Sequence, residues 1–435
     1  MDNLIQISDN SKATFEPQQL EQLRAIAGVP IRDIQLDGNP HLLIFPHSLS
    51  DCPDKIQDSP IFTIEGDNTL VTGNLMGFVG YKDTRLRIYS RFSKPDEQDY
   101  FLHYMLQRVF SINLFDLQYG ATNEDIFDFL IYLFPAYLKR AYRQGLYKEY
   151  QTHRYNDTHI RGRIDIAQHI RHNLPFTGNV AYQTREYAYN NDLTQLIRHT
   201  IEYIRQHPYA GGILQNDADT KDAVKAIEQA TPTYNRHERA QIINRNLRPV
   251  RHPYYSEYRY LQQLCFQILR HEELKYGTSD NEIYGILFDG AWLWEEYLNT
   301  LLAPAGFLHP RNKDNVGAIH LFHHPTSAPR YPDFHKPDFI LDAKYKGYTD
   351  KRVSEVDRND LHQLIAYMYI QQASRGGLVY PCTGTDPDIP TASLNGYGGS
   401  ISLYGLPIPQ HVPKWNDFQT QMRLSEQYIL SLLTV

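Results

Sequence analysis

The sequence predicts a multidomain α+β chain. It comprises a β-rich amino-terminal domain over residues 1–110, a mainly helical middle region over 111–276, and a carboxy-terminal domain over 277–435 in which a mixed sheet is flanked by helices. Three observations predict it. The chain has 435 residues, long for one core, and 41% of them are hydrophobic, enough for several cores and too many for wholesale disorder. Apolar residues alternate with period two in the first hundred residues and follow a helical period beyond them. Near the carboxy terminus, an apolar run leads into Asp342-Ala343-Lys344 between two helical stripes.

The elements follow in order. One short helix is expected near residues 17–27, then strands and turns, with the alternating stretches 69–78 and 84–92 forming hairpins. Residues 99–110 and 123–142 read as aromatic-rich helices, the second kinked at Pro135, their aromatic stripes belonging to the core. In the middle region, extended segments alternate with helices over 192–206, 220–230 and 255–276, and residues 277–280 read as a link. The carboxy-terminal domain then gives helices over 286–302 and 360–373, strands over 377–381 and 400–406, and a closing helix over 415–433. The Pro-, Gly-, Asp- and Thr-rich loop between those strands is the expected mobile element.

The chemistry concentrates in residues 331–348, where two Pro-Asp pairs precede Asp342-Ala343-Lys344. In an extended segment residues i and i+2 share a face, so Asp342 and Lys344 point together while Leu341, Ala343 and Tyr345 point away. A carboxylate able to hold Mg²⁺ beside an ammonium able to steady developing negative charge suits phosphodiester hydrolysis. The same triplet form occurs at Asp219-Thr220-Lys221 and Glu273-Leu274-Lys275, but without an apolar run leading in or a Pro-Asp upstream. Asp338 and Asp342 on one strand would stand ~13 Å apart, too far to share one ion. A hairpin with Pro337-Asp338 as a type I turn instead brings Asp333 opposite Asp342, about 5 Å away between α-carbons. Asp333 is then the ligand and Asp338 a turn residue. Glu295 falls inside the apolar stripe of the first helix (Leu287, Phe288, Ala291, Trp292, Leu298, Leu301, Leu302) and Glu296 outside it. Such a carboxylate needs a partner or a metal, or lays its stem along the core edge with its head in water. Gln363 on the second helix is either a site residue or an amide bridging backbone groups. The set resembles the metal-dependent nuclease core written PD-(D/E)xK.

Taken together, the residues resemble the McrC family, the nuclease subunit of modification-dependent restriction systems. The likeness runs through Gly77-Phe-Val-Gly80, 86–92, 101–106, 145–150, Arg161-Gly-Arg-Ile-Asp165, 191–198, 293–297, 331–334, 341–346 and 363–367. It implies Asp333, Asp342 and the carbonyl of Ala343 as ligands of Mg²⁺, for which Mn²⁺ would substitute. Glu295 would be the acidic residue of the first core helix, Lys344 the catalytic lysine and Gln363 the polar residue of the following helix. It further implies a partner, an McrB-like AAA+ GTPase hexamer that translocates DNA and reads modified cytosine, with the amino-terminal part of this chain inserted in the ring and stimulating hydrolysis. The substrate would be double-stranded DNA carrying modified cytosine, and the role defence against foreign DNA.

Composition bounds the rest. Cys52, Cys265 and Cys382 lie far apart with no C-x-x-C, which fits a reducing cytoplasm and gives no zinc signature. No signal peptide and no stretch approaching 18 uninterrupted apolar residues appears, so a soluble protein with no membrane contact is expected. There is no Gly-Lys pair and no H-E-x-x-H, which excludes a P-loop NTPase and a zincin, and His309 and His323-His324 have no spaced partners. The net charge of −7 is unusual for a protein gripping phosphates. Arg143, Lys148, Arg154, Arg161, Arg163 and Arg171 form one basic cluster, and Arg236, Arg239, Arg245, Arg248, Arg251 and Arg259 another. Each is either a DNA track or an ordinary solvated face; if neither is a track, the partner holds the DNA. Two rival readings remain, a cleavage-silent adaptor that activates the GTPase and a stand-alone repair nuclease.

Overall fold

The computed structural model describes residues 3–36, 42–46, 55–82, 84–93, 99–110, 124–176, 178–207, 211–215, 217–275, 283–310, 317–322, 329–348, 351–384, 389–396 and 398–433. Two compact units emerge: Met1–Ile112 together with Ser279–Val435, and Asn113–Thr278. The two outer segments, expected as separate domains, share one unit. Residues 277–280, Cys52 and His323-His324 lie outside the described residues.

The chain opens with β1 (Asn3–Ser8), β2 (Lys12–Thr14) and α1 (Pro17–Leu20). The helix expected over 17–27 is broken into α1 and a 3-10 turn at Leu23–Ala25. Next come α2 (Ile31–Leu36), β3 (Leu42–Phe45), β4 (Phe62–Glu65), β5 (Thr69–Thr72), β6 (Leu75–Tyr81), β7 (Thr84–Tyr89) and α3 (Tyr100–Phe110). The alternating stretch 69–78 supplies β5 and the start of β6, and β6 pairs antiparallel with β7. β2, β5 and β4 form a small antiparallel sheet.

The middle unit begins with α4 (Glu124–Arg143), which continues through Pro135. Extended segments alternate with helices in it, as the sequence predicts. β8 (Glu149–Asp157), β9 (Arg163–Ile164) and β10 (Val180–Ala188), with α5 (Ile166–His172) between the last two, form an antiparallel sheet in the order β8-β10-β9. Gly162 allows the close approach, since a Cβ there would lie 2.3 Å from the Gln183 carbonyl. The register aligns Arg154, Gln183 and Arg163 across the strands and Thr152 with Arg185. Alternation therefore turns Arg154, Arg163 and Arg185, all exposed, to one face and Glu149, Asp157 and Glu186 to the other. α6 (Asp192–Gln206), capped by Asn191, α7 (Ala218–Ala230), α8 (Arg239–Arg245) and α9 (Glu257–Lys275) complete the unit. In the second basic cluster, Arg239 donates to the Leu269 carbonyl at 2.9 Å and Arg245 pairs with Asp192 at 3.3 Å, so both serve internal contacts.

β11 (Ile283–Asp289) returns the chain to the first unit, followed by α10 (Gly290–Leu302). The helix expected from residue 286 starts at Gly290, where the Asp289 carboxylate accepts from the Ala291 N–H. Ile286–Phe288 are strand because β11 fills the slot between β6 and β3, giving the sheet order β1-β7-β6-β11-β3. This explains why residues 1–112 and 279–435 are one unit: the amino-terminal sheet takes a strand from beyond residue 279. Gly77 and Gly285 permit that pairing, since a Cβ on either would lie 2.2 Å from a carbonyl oxygen of the opposite strand.

After the short pair β12 (Ile319–His320) and β13 (Pro329–Arg330) comes the second large sheet. Its strands are β14 (Phe334–Lys336), β15 (Phe339–Ala343), β16 (Arg375–Cys382), β17 (Thr391–Ser393) and β18 (Ser400–Pro407), in the order β14-β15-β16-β18-β17. The three central strands are parallel and the edges antiparallel, the mixed sheet that the sequence predicts. α11 (Arg358–Gln371) connects β15 to β16 as the crossover that parallel strands require, and α12 (Trp415–Leu433) closes the chain. Ile340, Leu364, Met368, Leu378, Ile401 and Leu403 pack together between α11 and the sheet. The loop expected to be mobile contains β17, and residues 385–388 and 397 within it lie outside the described residues.

Candidate functional site

The site grows from the β14–β15 hairpin. Phe334 pairs with Leu341, His335 with Ile340 and Lys336 with Phe339, which leaves Pro337 and Asp338 as the loop. Asp338 has φ 64°, so the turn is not the expected type I, whose second central residue has a negative φ. Its left-handed conformation is held by the carboxylate, which accepts from the Ser374 N–H at 2.5 Å and the Ser374 hydroxyl at 2.6 Å. Asp338 is exposed and fastens the hairpin tip to the start of β16.

One register step beyond Phe334–Leu341 stands Asp333, opposite Asp342. Its Oδ2 accepts from the Ala343 N–H at 2.7 Å, which ties it to β15 where the ladder ends. Asp342 is fully buried, its Oδ2 lies 2.6 Å from Lys344 Nζ, and its Oδ1 has no hydrogen-bond partner among the described residues. Lys344 continues the strand through its N–H to the Val379 carbonyl at 2.9 Å. The i, i+2 pairing of Asp342 with Lys344 is thus as the sequence predicts. Tyr345 turns the other way, its hydroxyl 2.8 Å from Ser90 Oγ in the core.

α10 brings up Glu295. Its buried face is Leu293, Trp294, Tyr297, Leu298, Leu301 and Leu302, and the Trp294 indole donates to the Val379 carbonyl at 3.3 Å, seating the helix over β16. This corrects the expected stripe, in which Ala291 and Trp292 took part: Ala291 is exposed, and Glu295 lies at the border of the buried face with its side chain 34% exposed. Glu295 Oε1 is 3.8 Å from His309 Nε2, and His309 Nδ1 lies 2.7 Å from the Asp333 carbonyl oxygen. A carbonyl only accepts, so Nδ1 carries the proton and Nε2 faces the carboxylate. Gln363 is exposed on α11 and donates from Nε2 to the Tyr367 hydroxyl at 3.0 Å.

The charges act on one another. Burial, then the nearby Asp342 and Glu295 carboxylates, push the Asp333 pKa well above the ordinary carboxylate value. Burial also raises Asp342, against the pull of Lys344. For Lys344, burial disfavours the ammonium, but Asp342, Asp333 and Asp360 outweigh it and hold the pKa above that of an ordinary lysine.

Sequence reasoning missed Asp360, which is buried at the start of α11. Its Oδ2 accepts from Lys346 Nζ at 2.8 Å and from the Tyr348 hydroxyl at 2.5 Å, and its Oδ1 is 3.5 Å from Lys344 Nζ. The signal was present: Asp360 precedes Gln363 by three residues on one helix, and Lys346 follows Lys344 by two on one extended segment. His309, dismissed for want of a spaced partner, belongs to the site because the hairpin brings Asp333 to it.

Could these residues hold a cation? Their donors are carboxylate and main-chain oxygens, the set that hard divalent cations take. A fully buried carboxylate oxygen without a donor is what such an ion would satisfy, so the residues fit. Among the described residues no three His, Cys, Asp or Glu side chains already stand at metal-holding spacing. The fit therefore rests on Asp333, Asp342 and a backbone carbonyl, with Glu295 turned toward His309.

The model of the family described as McrBC 5-methylcytosine restriction system component matches residues 70–381. Among solved structures, the chain is similar to the refined half-complex from the tetradecameric assembly of Thermococcus gammatolerans McrB AAA+ hexamers with bound McrC. That likeness has TM-score 0.50 and 16% identity over 98% of this chain and 100% of that one, and it bears on the fold alone. The cryo-EM structure of the Thermococcus gammatolerans McrBC complex gives TM-score 0.33 and 15% identity over 69% of this chain and 87% of that one, too distant to bear on the fold. No curated protein matches.

Proposed function

Because the chain belongs to the McrBC 5-methylcytosine restriction system component family, we propose that it is the metal-dependent DNA endonuclease subunit of such a system. On this reading it works with an McrB-like AAA+ GTPase hexamer, stimulates its hydrolysis and cleaves double-stranded DNA carrying modified cytosine. The family match supports the restriction role. The observation that carries the nuclease reading is Asp342, fully buried with an unpartnered oxygen, beside Asp333 and Lys344 at the end of one hairpin.

Asp333, Asp342 and the Ala343 carbonyl would hold the divalent cation, Mg²⁺ or Mn²⁺, which when bound supplies a Lewis acid that activates water and neutralises phosphate charge. The Ala343 N–H already faces Asp333, and in a strand a residue's N–H and C=O face the same neighbour, which suits the carbonyl to that role. Lys344 would donate to the phosphate oxygen on which negative charge grows, its raised pKa keeping it protonated. Glu295 with His309, and Gln363 with Tyr367, flank the carboxylates and would orient water and substrate. The intact acid–acid–lysine set weighs against a cleavage-silent adaptor, which needs no such convergence. The test is cleavage of duplex DNA with and without modified cytosine, by the full chain with an McrB-like GTPase, GTP and Mg²⁺. Cleavage that EDTA abolishes supports the reading; none under any metal, with GTP hydrolysis still stimulated, would select the adaptor.

A further inference from the structure

We propose that Asp360 is a positioning residue that keeps the Lys344 ammonium aimed at the scissile phosphate when Asp342 is engaged by the cation, an inference that rests on the nuclease reading. Lys344 now lies 2.6 Å from Asp342 Oδ2, a tight pair in which the carboxylate neutralises much of the charge that a phosphate would need. A cation held at Asp342 Oδ1 would draw on the same carboxylate and repel the ammonium. The side chain of Lys344 is only 14% exposed, so water cannot replace the lost partner fully. Asp333 would be engaged by the same cation, which leaves Asp360, whose Oδ1 is 3.5 Å from Nζ, as the anion beside the ammonium. That is longer than a strong charged hydrogen bond, so it restrains the ammonium without cancelling it.

Asp360 is itself fixed from three sides. It lies in the first turn of α11, where a carboxylate is favoured by the helix dipole. Its Oδ2 is held by Lys346 at 2.8 Å and by the buried Tyr348 hydroxyl at 2.5 Å. Burial acts to raise its pKa, but the bonds from Lys346 and Tyr348 and the charge of Lys344 together leave it below the ordinary value, and thus ionised. The carboxylate therefore joins α11 to the segment leaving β15. Its partners alternate along that segment: Lys344, Lys346 and Tyr348 lie at i, i+2 and i+4.

The test compares the full-length wild type with Asp360→Asn, which keeps the shape and removes the charge, and with Tyr348→Phe, which loosens Asp360 without touching any charge. With the partner GTPase present, Asp360→Asn should lower kcat for DNA cleavage by about 10- to 100-fold with KM nearly unchanged, as for an interaction made in the transition state. Tyr348→Phe should fall between it and wild type. Mn²⁺ binding by calorimetry should remain within about threefold of wild type. In Mn²⁺, modification of Lys344 by an amine-reactive ester, read by peptide mass spectrometry, should rise several-fold in Asp360→Asn and not in wild type. Unchanged kcat with unchanged labelling would overturn the proposal, as would equal losses of kcat and Mn²⁺ affinity, which would mark Asp360 as merely structural. If the wild type does not cleave at all, the nuclease reading fails, and the labelling still decides whether Asp360 holds Lys344.

Discussion

Asp333 and Asp338 show how one turn separates two chemically identical residues. They share the Pro-Asp dipeptide and lie five positions apart, yet one faces Ala343 and Asp342 and the other binds Ser374 on the surface. Asp333→Ala should therefore lower Mg²⁺-dependent cleavage by orders of magnitude, since a ligand that both binds the ion and balances its charge is lost. Asp338→Ala should keep most of it, with circular dichroism confirming that both variants fold. A dead Asp338→Ala beside an active Asp333→Ala would invert the assignment. The raised pKa of Asp333 gives a second expectation. A carboxyl whose folded pKa exceeds its unfolded value contributes stability below the unfolded pKa and loses it as pH rises through the folded one. The metal-free protein should thus lose stability on ionisation of Asp333, and a bound cation should restore it. The rise in Tm on adding Mg²⁺ should be small at acidic pH, where Asp333 is protonated, and grow as pH rises through its raised pKa. In Asp333→Asn that growth should largely vanish; a Tm gain independent of pH in the wild type would count against Asp333 as a ligand.

At the scale of elements, the sequence reveals what local periodicity controls and conceals what distant pairing controls. α6 and α12 appear with the ends expected, because apolar stripes and caps define them locally. The hairpin was legible because a distance limit excluded the alternative, and Asp342 and Lys344 because a strand's period is two. Ile286–Phe288 read as helix, since a short apolar run next to a helical stripe has no period of its own. Their pairing with β6 and β3 decides, and those partners lie more than 200 residues earlier. Asp360 was hidden for the same reason: its meaning depends on which segment packs beside α11. The glycines carry a test of β11. Gly285→Ala places a methyl 2.2 Å from the Phe78 carbonyl at φ +155°, so the β6–β11 ladder must part. A loss of about 2–3 kcal/mol and a Tm lower by roughly 4–10 °C are expected. A Gly285→Ala protein as stable as wild type would mean that β11 does not lie between β6 and β3.

For the whole molecule, the consequence is that the segments bearing the sequence's two ends share one unit and the middle segment interrupts that unit in the sequence. Cutting the chain near residue 110 would strip β11 from the amino-terminal sheet, so partner binding and cleavage are best separated by substitution in the full chain. Lys344 offers that separation. It approaches Asp342 and Asp360 in the carboxy-terminal sheet and, with its side chain 14% exposed, presents little surface to any partner. The central claim, that the hairpin carboxylates and Lys344 are a cleavage centre, is tested most directly by Lys344→Ala assayed with the partner GTPase, Mg²⁺ and modified-cytosine DNA. The prediction is loss of DNA cleavage by several orders of magnitude with GTP hydrolysis stimulated as in wild type. Cleavage at the wild-type rate by a well-folded Lys344→Ala protein would contradict it.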